Sequence, residues 1–239
     1  MKTTVVLLTW QRLSLLRKTL AMLSAQTNKK FDVRISNANL PMAQVVEKHA
    51  KNFSDKLDIT VSHDGNEIYA FRRFTVGKEL AESGTDVILF IDDDITFSPT
   101  YVKDLLRHYQ PETYQSGFAW SFQNGGSDYY KYRTRVRDPI SKIHYCGTGI
   151  GMIDASIFLD SRIFACPKEA YLVEDLWLSY FAQHVMEWEL KYVFMQNVHI
   201  GGSDQNALYK KIMKDKRVSG APDKADFLRL LVSKYNWKL

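Results

Sequence analysis

The feature that most constrains the fold of this chain is a regular alternation of apolar runs with amphipathic segments over residues 3–91. The apolar runs read as strands, and the segments between them carry apolar residues at helical spacing. The predicted strands lie at 3–10, 31–39, 57–64 and 86–91, and the predicted helices at 13–26, 42–53 and 68–83. Strands joined by helices in this way run parallel, because each helix carries the chain back across the sheet. The pattern predicts an α/β fold with a mostly parallel, Rossmann-like sheet flanked by helices.

The regular rhythm ends near residue 98, and the rest of the chain reads as a mixture of shorter elements. A helix is predicted at 98–109, with Ser98 as its N-cap and Pro99 at its first position. The polar, basic stretch at 123–138 reads as an exposed loop or hairpin. Three further segments complete the pattern: a helix at 174–185, a strand within 189–198 and a mostly helical, basic end at 203–239.

Length and composition are those of one globular domain. With 239 residues, of which 45% are hydrophobic and 25% charged, the chain can bury about 70% of the surface that its unfolded form exposes. No repeat or linker divides it. We therefore predict one domain over residues 1–200, with a C-terminal helical extension over 201–239 packed on the same domain.

The formal net charge of +5 comes mostly from the last third of the chain. The densest basic segment there contains Lys210, Lys211, Lys214, Lys216 and Arg217. A nucleic-acid-binding protein usually carries a denser basic stripe, so we predict no nucleic-acid partner. A phosphate-bearing ligand fits this charge, and the basic C-terminal region is also a candidate for peripheral contact with an anionic membrane surface.

Cysteine usage and the N-terminal sequence predict a cytoplasmic protein. Cys146 and Cys166 match no zinc-binding spacing and form no disulfide framework. The first residues contain only a short apolar run, and no segment approaches the roughly 18 apolar residues of a membrane span. We therefore expect reduced cysteines and a cytoplasmic location.

Three consecutive aspartates, Asp92 to Asp94, follow the buried strand that ends at Ile91. All three should be ionised at pH 7, so their repulsion has to be offset by water, a nearby base or a divalent cation. Asp92 and Asp94 point to the same side of an extended segment and can share Mg²⁺ or Mn²⁺. A solvated acidic turn is the alternative. The position at the carboxyl end of a parallel strand, where open α/β sheets bind ligands, favours a nucleotide and metal site.

An ordered set of motifs resembles the GT-A-fold glycosyltransferases, in particular the family 2-like inverting enzymes. The set consists of "TWQR" after the first strand, "SLLRKTLAMLSAQT" behind it, an arginine-bearing helix before "VILFIDDD", and a later "VEDLWLSYFAQ". The resemblance covers residues 3–200 and adds the GT-A type to the predicted fold. It implies that a sugar is transferred from a nucleoside diphosphate sugar donor to a hydroxyl of a glycan or another acceptor, with inversion at the anomeric carbon.

The resemblance assigns recognition of the nucleobase to residues at two strand ends. Thr9 and Trp10 correspond to positions that grip the base, although the family often has tyrosine or phenylalanine at the second position. Asn37 or Asn39 stands where the family usually places an aspartate that contacts the base. Because an amide both donates and accepts hydrogen bonds, whereas a carboxylate only accepts, the identity of the base stays open.

The resemblance assigns the diphosphate and the metal to the third helix and the acidic triplet. Arg72 or Arg73 matches an arginine directed toward the nucleotide. Asp92 would face the ribose or the metal, Asp94 would bind the metal as part of the D-x-D motif, and Asp93 lies beside them in the donor site. Mn²⁺ or Mg²⁺ bridging the two phosphates would lower the cost of the charge on the leaving group.

Two further segments receive roles from the same resemblance. Gly147, Thr148 and Gly149 correspond to a loop near the donor sugar, but glycines also serve a tight turn. His199 corresponds to a histidine that completes the metal shell in some GT-A enzymes, with an ordinary histidine as the alternative.

The "ED" pair corresponds to the catalytic-base motif. Asp175 would remove the proton from the acceptor hydroxyl as that oxygen attacks the anomeric carbon. Glu174 shares the motif and is the second catalytic candidate. Both carboxylates lie at the predicted start of a helix, where capping is the alternative role and the one expected mainly of Glu174.

Two other function classes fit parts of the pattern. A nucleotidyltransferase could use the same sheet and paired carboxylates, but it would normally carry a glycine-rich loop after the first strand, where this chain has "TWQRLSLL". A non-catalytic nucleotide-binding module derived from a transferase is the other class. The intact Asp92, Asp94 and Asp175 argue against loss of catalysis.

Overall fold

The structure is a computed structural model that describes residues 1–65, 69–123, 128–196, 198–200 and 223–239. Its strands are β1 (Thr3–Thr9), β2 (Asp32–Asn37), β3 (Ile59–His63), β4 (Val87–Ile91), β5 (Ile95–Thr96), β6 (Thr113–Ser116), β7 (Ala119–Phe122), β8 (Arg133–Arg135), β9 (Tyr145–Cys146), β10 (Ile150–Asp154), β11 (Glu189–Tyr192) and β12 (His199–Ile200). Its α-helices are α1 (Leu13–Ser24), α2 (Ala43–Lys51), α3 (Arg72–Glu82), α4 (Tyr101–Leu106), α5 (Glu174–Tyr180) and α6 (Lys224–Lys234).

Seven of the strands form the central sheet, in the order β11-β6-β10-β4-β1-β2-β3. Strand β1 pairs in parallel with β2 and β4, and β2 pairs in parallel with β3. The predicted parallel, Rossmann-like arrangement of the first half is therefore confirmed. Strand β10 runs antiparallel between β4 and β6, and β11 is parallel to β6, so the whole sheet is mostly parallel.

Helices cover both faces of this sheet, as alternating side chains along its strands require. Val5 and Leu7 of β1 pack on one face with the buried leucines of α1. Val6 packs on the other face, in the cluster that also holds Phe74 of α3. The predicted apolar stripe of α1 is confirmed, with Leu16, Leu20 and Leu23 buried and Leu13 packed at its edge.

Helix α4 starts later than its sequence pattern predicts. Its N-cap is Thr100 and its first residue is Tyr101, so Ser98 is not the cap and Pro99 lies outside the helix. The carbonyl of Pro99 accepts a hydrogen bond from the backbone N–H of Thr27 at 2.8 Å, which holds this residue in the preceding turn. The side chain of Gln26 accepts from the backbone N–H of Val102 at 2.9 Å and so supplies the cap from another element.

The predicted hairpin in the basic stretch is confirmed on either side of residues 124–127, which lie outside the described residues. Strand β7 pairs antiparallel with both β8 and β9 to form a small second sheet. This small sheet leaves the seven-stranded sheet after β6 and returns to it at β10. It therefore forms a separate wall beside the ends of the central strands.

The C-terminal part of the chain returns to the same core. Helix α6 carries a capping box between Asp223 and Asp226, and its Phe227, Leu228 and Leu231 are buried in the cluster that contains α5. The predicted basic segment with Lys210, Lys211, Lys214, Lys216 and Arg217 lies outside the described residues. In the described part of the chain, no helix has the length and apolar character needed to cross a membrane.

Candidate active site

A cavity of about 520 Å³ opens where β1 and β4 end. These strands are neighbours and parallel, so their carboxyl ends meet at one edge of the sheet. The residues that follow them, Trp10 and Arg12 after β1 and the acidic triplet after β4, line the cavity. Side chains from α3, from the hairpin of β7 and β8, and from α5 and α6 complete its walls: Arg72, Arg73, Tyr129, Tyr130, Arg133, Glu174, Asp175 and Lys224.

The acidic triplet is neutralised by arginines on two sides. Arg12, directly before α1, donates to Asp94 at 3.0 Å and also to Asp93. Arg73 of α3 donates to Asp92. The sequence left open whether water, a nearby base or a divalent cation offsets the repulsion among the aspartates. The structure contains the nearby base, in the form of these two arginines. Arg12 was not among the predicted site residues, although it lies inside the "TWQR" segment.

Asp93 is the buried member of the triplet, with its side chain 5% exposed. Burial raises the pKa of its carboxyl group to about 7, because desolvation outweighs the attraction of Arg12 and the charges of Asp92 and Asp94 add to it. Asp92 and Asp94 are more exposed, at 39% and 21%. All three aspartates line the cavity, and the two outer ones are the more accessible.

Arg73 joins the two halves of the site. Its side chain is 9% exposed and donates to Asp92 on one side and to Glu174 on the other. Burial lowers the pKa of Arg73, but Glu174 and Asp92 outweigh it and leave the pKa raised. Arg72 is buried as well and donates to the hydroxyl of Ser36 at 3.0 Å. Burial lowers the pKa of Arg72 to about 10, so its guanidinium stays charged at neutral pH.

Glu174 is held as an internal anchor and does not cap α5. Its carboxylate accepts from Arg73 and, at 3.3 Å, from the hydroxyl of Thr148, and its side chain is only 4% exposed. The N-cap of α5 is Val173, with no hydrogen bond from a capping side chain. The expectation that Glu174 mainly caps the helix is therefore wrong, because a buried guanidinium competes for its carboxylate.

Asp175 lies at the cavity wall between two polar partners. Its Oδ2 accepts from the hydroxyl of Tyr145 and, at 2.6 Å, from the ammonium of Lys224 in α6. Its Oδ1 accepts from the backbone N–H of Leu176 at 3.0 Å. Burial lowers the pKa of Lys224, but the charge of Asp175 outweighs it and leaves that pKa raised. The carboxylate thus has a permanent cation beside it.

The glycine-bearing segment approaches the acidic triplet closely. A Cβ on Gly149 would lie 2.7 Å from Oδ2 of Asp92, so only glycine fits there. The backbone carbonyl of Gly149 accepts from the N–H of Asp92 at 3.1 Å. Thr148 lines the cavity, whereas Gly147 and Gly149 are not among its lining residues.

The predicted base-contacting residues separate into two groups. Thr9 and Trp10 line the cavity, and the buried hydroxyl of Thr9 has no hydrogen-bond partner among the described residues. Asn37 and Asn39 are not among the cavity-lining residues. The side chain of Asn37 is occupied in its own turn, where it accepts from the N–H of Asn39 at 2.9 Å and donates to that residue's carbonyl at 3.0 Å.

The described residues fit a divalent cation at two carboxylates. Asp92 and Asp94 each use one oxygen for an arginine, and the other accepts no hydrogen bond from the described residues. Two such oxygens suit Mg²⁺, which takes most of its ligands from water and phosphates. His199 does not complete a set with them: it is exposed, in β12 beside β5, and no three metal-ligating side chains are grouped anywhere in the described ranges.

Sequence reasoning missed nine residues that line the cavity, and five of them carry a charge or a tyrosine hydroxyl: Arg12, Tyr129, Tyr130, Arg133 and Lys224. Arg12 lies 82 residues from Asp94, and Lys224 lies 49 residues from Asp175. Local periodicity carries no information about such contacts. A usable signal existed for the hairpin, where aromatic and basic residues alternate in "YYKYRTR".

Comparisons with known proteins identify the fold. No protein-family model matches the chain, and no curated protein matches it. Solved structures do match: S. aureus TarS has a TM-score of 0.58 and 16% identity, over 99% of this chain and 43% of that chain. S. aureus TarS 1–349 in complex with UDP-GlcNAc has a TM-score of 0.60 and 15% identity, over 99% of this chain and 72% of that chain.

A second kind of enzyme shares the fold. A putative glucose-1-phosphate thymidylyltransferase from Bacillus anthracis, in complex with a sucrose, has a TM-score of 0.54 and 14% identity, over 89% of this chain and 96% of that chain. TarS is a GT-A-type glycosyltransferase. The predicted GT-A fold is confirmed, and the chain spans less than half of the longer TarS chain that it matches.

Proposed function

We propose that this chain is a glycosyltransferase that moves a sugar from a nucleoside diphosphate sugar to an acceptor hydroxyl, with inversion at the anomeric carbon. One observation carries the proposal: a single cavity at the ends of parallel strands joins a cationic and acidic cluster, suited to a diphosphate, to a separate carboxylate, Asp175. The GT-A fold supports it, since proteins with this fold include TarS, which has been crystallised with UDP and with UDP-GlcNAc.

The donor would occupy the part of the cavity beyond β1 and β4. Trp10 offers a ring for the nucleobase, and the hydroxyl of Thr9, which has no hydrogen-bond partner in the described part of the chain, offers a hydrogen bond. Arg72 and Arg73 carry charge toward the diphosphate, and guanidinium groups bind phosphate in a fork geometry. Asp92 and Asp94 would hold Mg²⁺ or Mn²⁺, which when bound would offset the negative charge of the leaving nucleoside diphosphate.

The acceptor would be activated by Asp175. An ionised carboxylate can take the proton from a hydroxyl as that oxygen attacks the anomeric carbon. Hydrogen bonds from the ammonium of Lys224 and the hydroxyl of Tyr145 fix the orientation of the Asp175 carboxylate. Glu174 holds Arg73 in place and would act through that arginine rather than on the substrate.

A nucleotidyltransferase is the second candidate, because the thymidylyltransferase from B. anthracis shares the fold. The sequence of the segment that follows β1 argues against a nucleotidyltransferase. Residues 9–16 contain no glycine, whereas a nucleotidyltransferase would normally carry a glycine-rich loop there. The two functions differ in the bond that breaks, so their products separate them.

The test is a product assay on the whole chain. UDP-GlcNAc and a panel of other nucleoside diphosphate sugars are incubated with the protein, in Mn²⁺ and in EDTA, and release of the nucleoside diphosphate is measured. We expect release for one donor, a gain in Mn²⁺ that Asp94→Ala removes, and weaker nucleotide binding in Arg72→Ala or Arg73→Ala, by about 1.5–3 kcal/mol.

Three results would contradict the proposal in different ways. Pyrophosphate release from a nucleoside triphosphate and a sugar 1-phosphate would show a nucleotidyltransferase. Tight nucleotide binding without turnover of any donor would indicate a binding module. Equal nucleotide affinity in Mn²⁺ and EDTA would leave a transferase whose arginines neutralise the diphosphate without metal.

A further inference from the structure

Among the arginines that line the cavity, Arg133 of the hairpin differs from Arg12 and Arg73 in its partners. Arg12 and Arg73 each bind carboxylates, whereas Arg133 and Arg135 of β8 have no carboxylate within 4.0 Å among the described residues. Arg133 lines the cavity. We propose that Arg133 and the neighbouring tyrosines form the acceptor subsite, and that the acceptor is a polyhydroxyl compound carrying an anionic group such as a phosphate. This inference rests on the proposed function.

The guanidinium of Arg133 is held in place but not neutralised. It lies 4.2 Å from the ring centroid of Trp120 and 4.6 Å from that of Tyr129, and it donates to the Tyr129 hydroxyl at 2.7 Å. Aromatic faces attract a cation through their quadrupole and leave its net charge in place. A fixed guanidinium with unused N–H groups matches the geometry of a phosphate or carboxylate.

The hairpin reaches the general base through two tyrosine rings. The Tyr129 ring lies 6.3 Å from the Tyr145 ring, and the Tyr145 hydroxyl donates to Asp175. Lys224 lies over the Tyr145 ring at 5.1 Å and binds the same carboxylate. An anion at Arg133 would therefore be held on the side of the cavity where the acceptor hydroxyl must lie. The arginines of the donor site come from other elements, the end of β1 and helix α3.

Tyr130 provides a surface for the neutral part of such an acceptor. It is 56% exposed, lines the cavity and packs edge-on against Tyr129, with the ring centroids 5.1 Å apart. An aromatic ring with one apolar face and a polar tip suits the mixed surface of a sugar or polyol. Recognition of a neutral acceptor alone would leave the charge of Arg133 without a counter-charge, so an anionic group is the better match.

The test compares one sugar with and without a phosphate. Protein saturated with UDP, which fills the donor site, is titrated with glucose 6-phosphate, with glucose and with inorganic phosphate, by calorimetry. We expect glucose 6-phosphate to bind at least tenfold more tightly than glucose, and more tightly than inorganic phosphate. Arg133→Met should remove this preference, Arg133→Lys should keep part of it, and the exposed Arg137→Met on the same hairpin should leave it unchanged.

The outcomes separate this inference from the proposed function. Equal affinity for glucose and glucose 6-phosphate, or an unchanged preference in a folded Arg133→Met protein, would overturn the inference alone. A loss of UDP affinity in Arg133→Met would place that arginine at the donor diphosphate and overturn it as well. If wild-type protein binds neither UDP nor any other nucleoside diphosphate, the proposed function fails. The preference for glucose 6-phosphate and its loss in Arg133→Met would then still decide whether Arg133 binds an anion.

A second variant is needed if both Arg133 variants melt below wild type. Trp120→Leu, which removes one supporting ring, should then weaken glucose 6-phosphate binding but not UDP binding. Equal weakening of both would reject the subsite.

Discussion

The cavity has two sides that handle charge differently. On the side of β1, β4 and α3, arginines are paired with carboxylates: Arg12 with Asp93 and Asp94, and Arg73 with Asp92. On the side of the hairpin, Arg133 lies against the rings of Trp120 and Tyr129 instead. A paired charge is fixed and already compensated, whereas a stacked charge remains available to a ligand. Under the proposed function, the first side would hold the metal and the diphosphate, and the second side would attract the acceptor.

Asp175 and Arg73 are the points where the two sides meet. Asp175 belongs to the hairpin side through Tyr145 and Lys224. Arg73 connects Asp92 after β4 with Glu174 in α5. Substitutions at these positions therefore test whether the two sides work separately.

The largest effect is expected for Asp175→Asn. The amide keeps the size of the side chain but has no useful basicity, so turnover should fall by about 10²–10⁴-fold. Donor affinity should stay close to wild type, because a base acts on the acceptor in the transition state. Transfer rate at saturating donor, donor affinity and melting temperature check this, with the exposed Glu82→Gln as control. A folded Asp175→Asn protein with near wild-type turnover would contradict the assignment of the base.

The next effect is expected for Arg73→Met, which breaks the link between the sides. Loss of the guanidinium leaves the buried carboxylate of Glu174 without its cation, a change that typically costs about 3–5 kcal/mol of the free energy of unfolding. The matched control is Arg229→Met in α6, whose ion pair with Asp226 is about half exposed and should contribute no more than about 1 kcal/mol.

Urea unfolding of both arginine variants measures this difference. The double variant Arg73→Met with Glu174→Gln should recover part of the loss, because the unpaired charge is then removed. Equal stability of Arg73→Met and Arg229→Met would mean that the two sides are held together by packing alone.

The smallest effect concerns the acid sensitivity of the hairpin side. His144 is buried behind β7, where its Nδ1 accepts from the backbone N–H of Phe122 at 2.9 Å. Burial lowers the pKa of His144 to about 4, below its usual value of 6.5. Below pH 6.5, His144 becomes protonated in the unfolded chain but stays neutral in the folded chain until the pH approaches 4. His144 therefore contributes stability that is present above pH 6.5 and is lost as the pH falls toward 4. The loss should reach about 3 kcal/mol at most.

His144→Asn keeps an acceptor for Phe122 and should remove that part of the pH dependence. The free energy of unfolding is measured from pH 4 to pH 7 for wild type, His144→Asn and the exposed His108→Asn as control. An identical slope in wild type and His144→Asn would mean that His144 does not titrate on unfolding in this range.

Much of the cavity side formed by β1, β4 and α3 was predictable, because the sequence patterns that predict it are local. Buried runs and helical spacing predicted β1 to β4 and α1 to α3, and a parallel sheet then places Thr9 and Asp92 at one edge. The prediction for Asn37 and Asn39 did not fit the cavity, since a short turn after β2 uses the amide of Asn37 internally. His199 lies opposite Thr96 in the pair of β5 and β12, and among the described residues it forms no three-residue metal-ligating group with the aspartates.

The sequence by itself determined the parallel half of the sheet and the position of the acidic triplet at its edge, because periodicity and strand order are properties of neighbouring residues. Only the tertiary structure decided which cations face those carboxylates. Arg12 reaches Asp94 across 82 residues, and Lys224 reaches Asp175 across 49. Such pairs depend on where side chains from distant elements converge, and burial then sets the strength of each charge. For that reason the difference between the paired arginines and the stacked Arg133 became visible only in three dimensions.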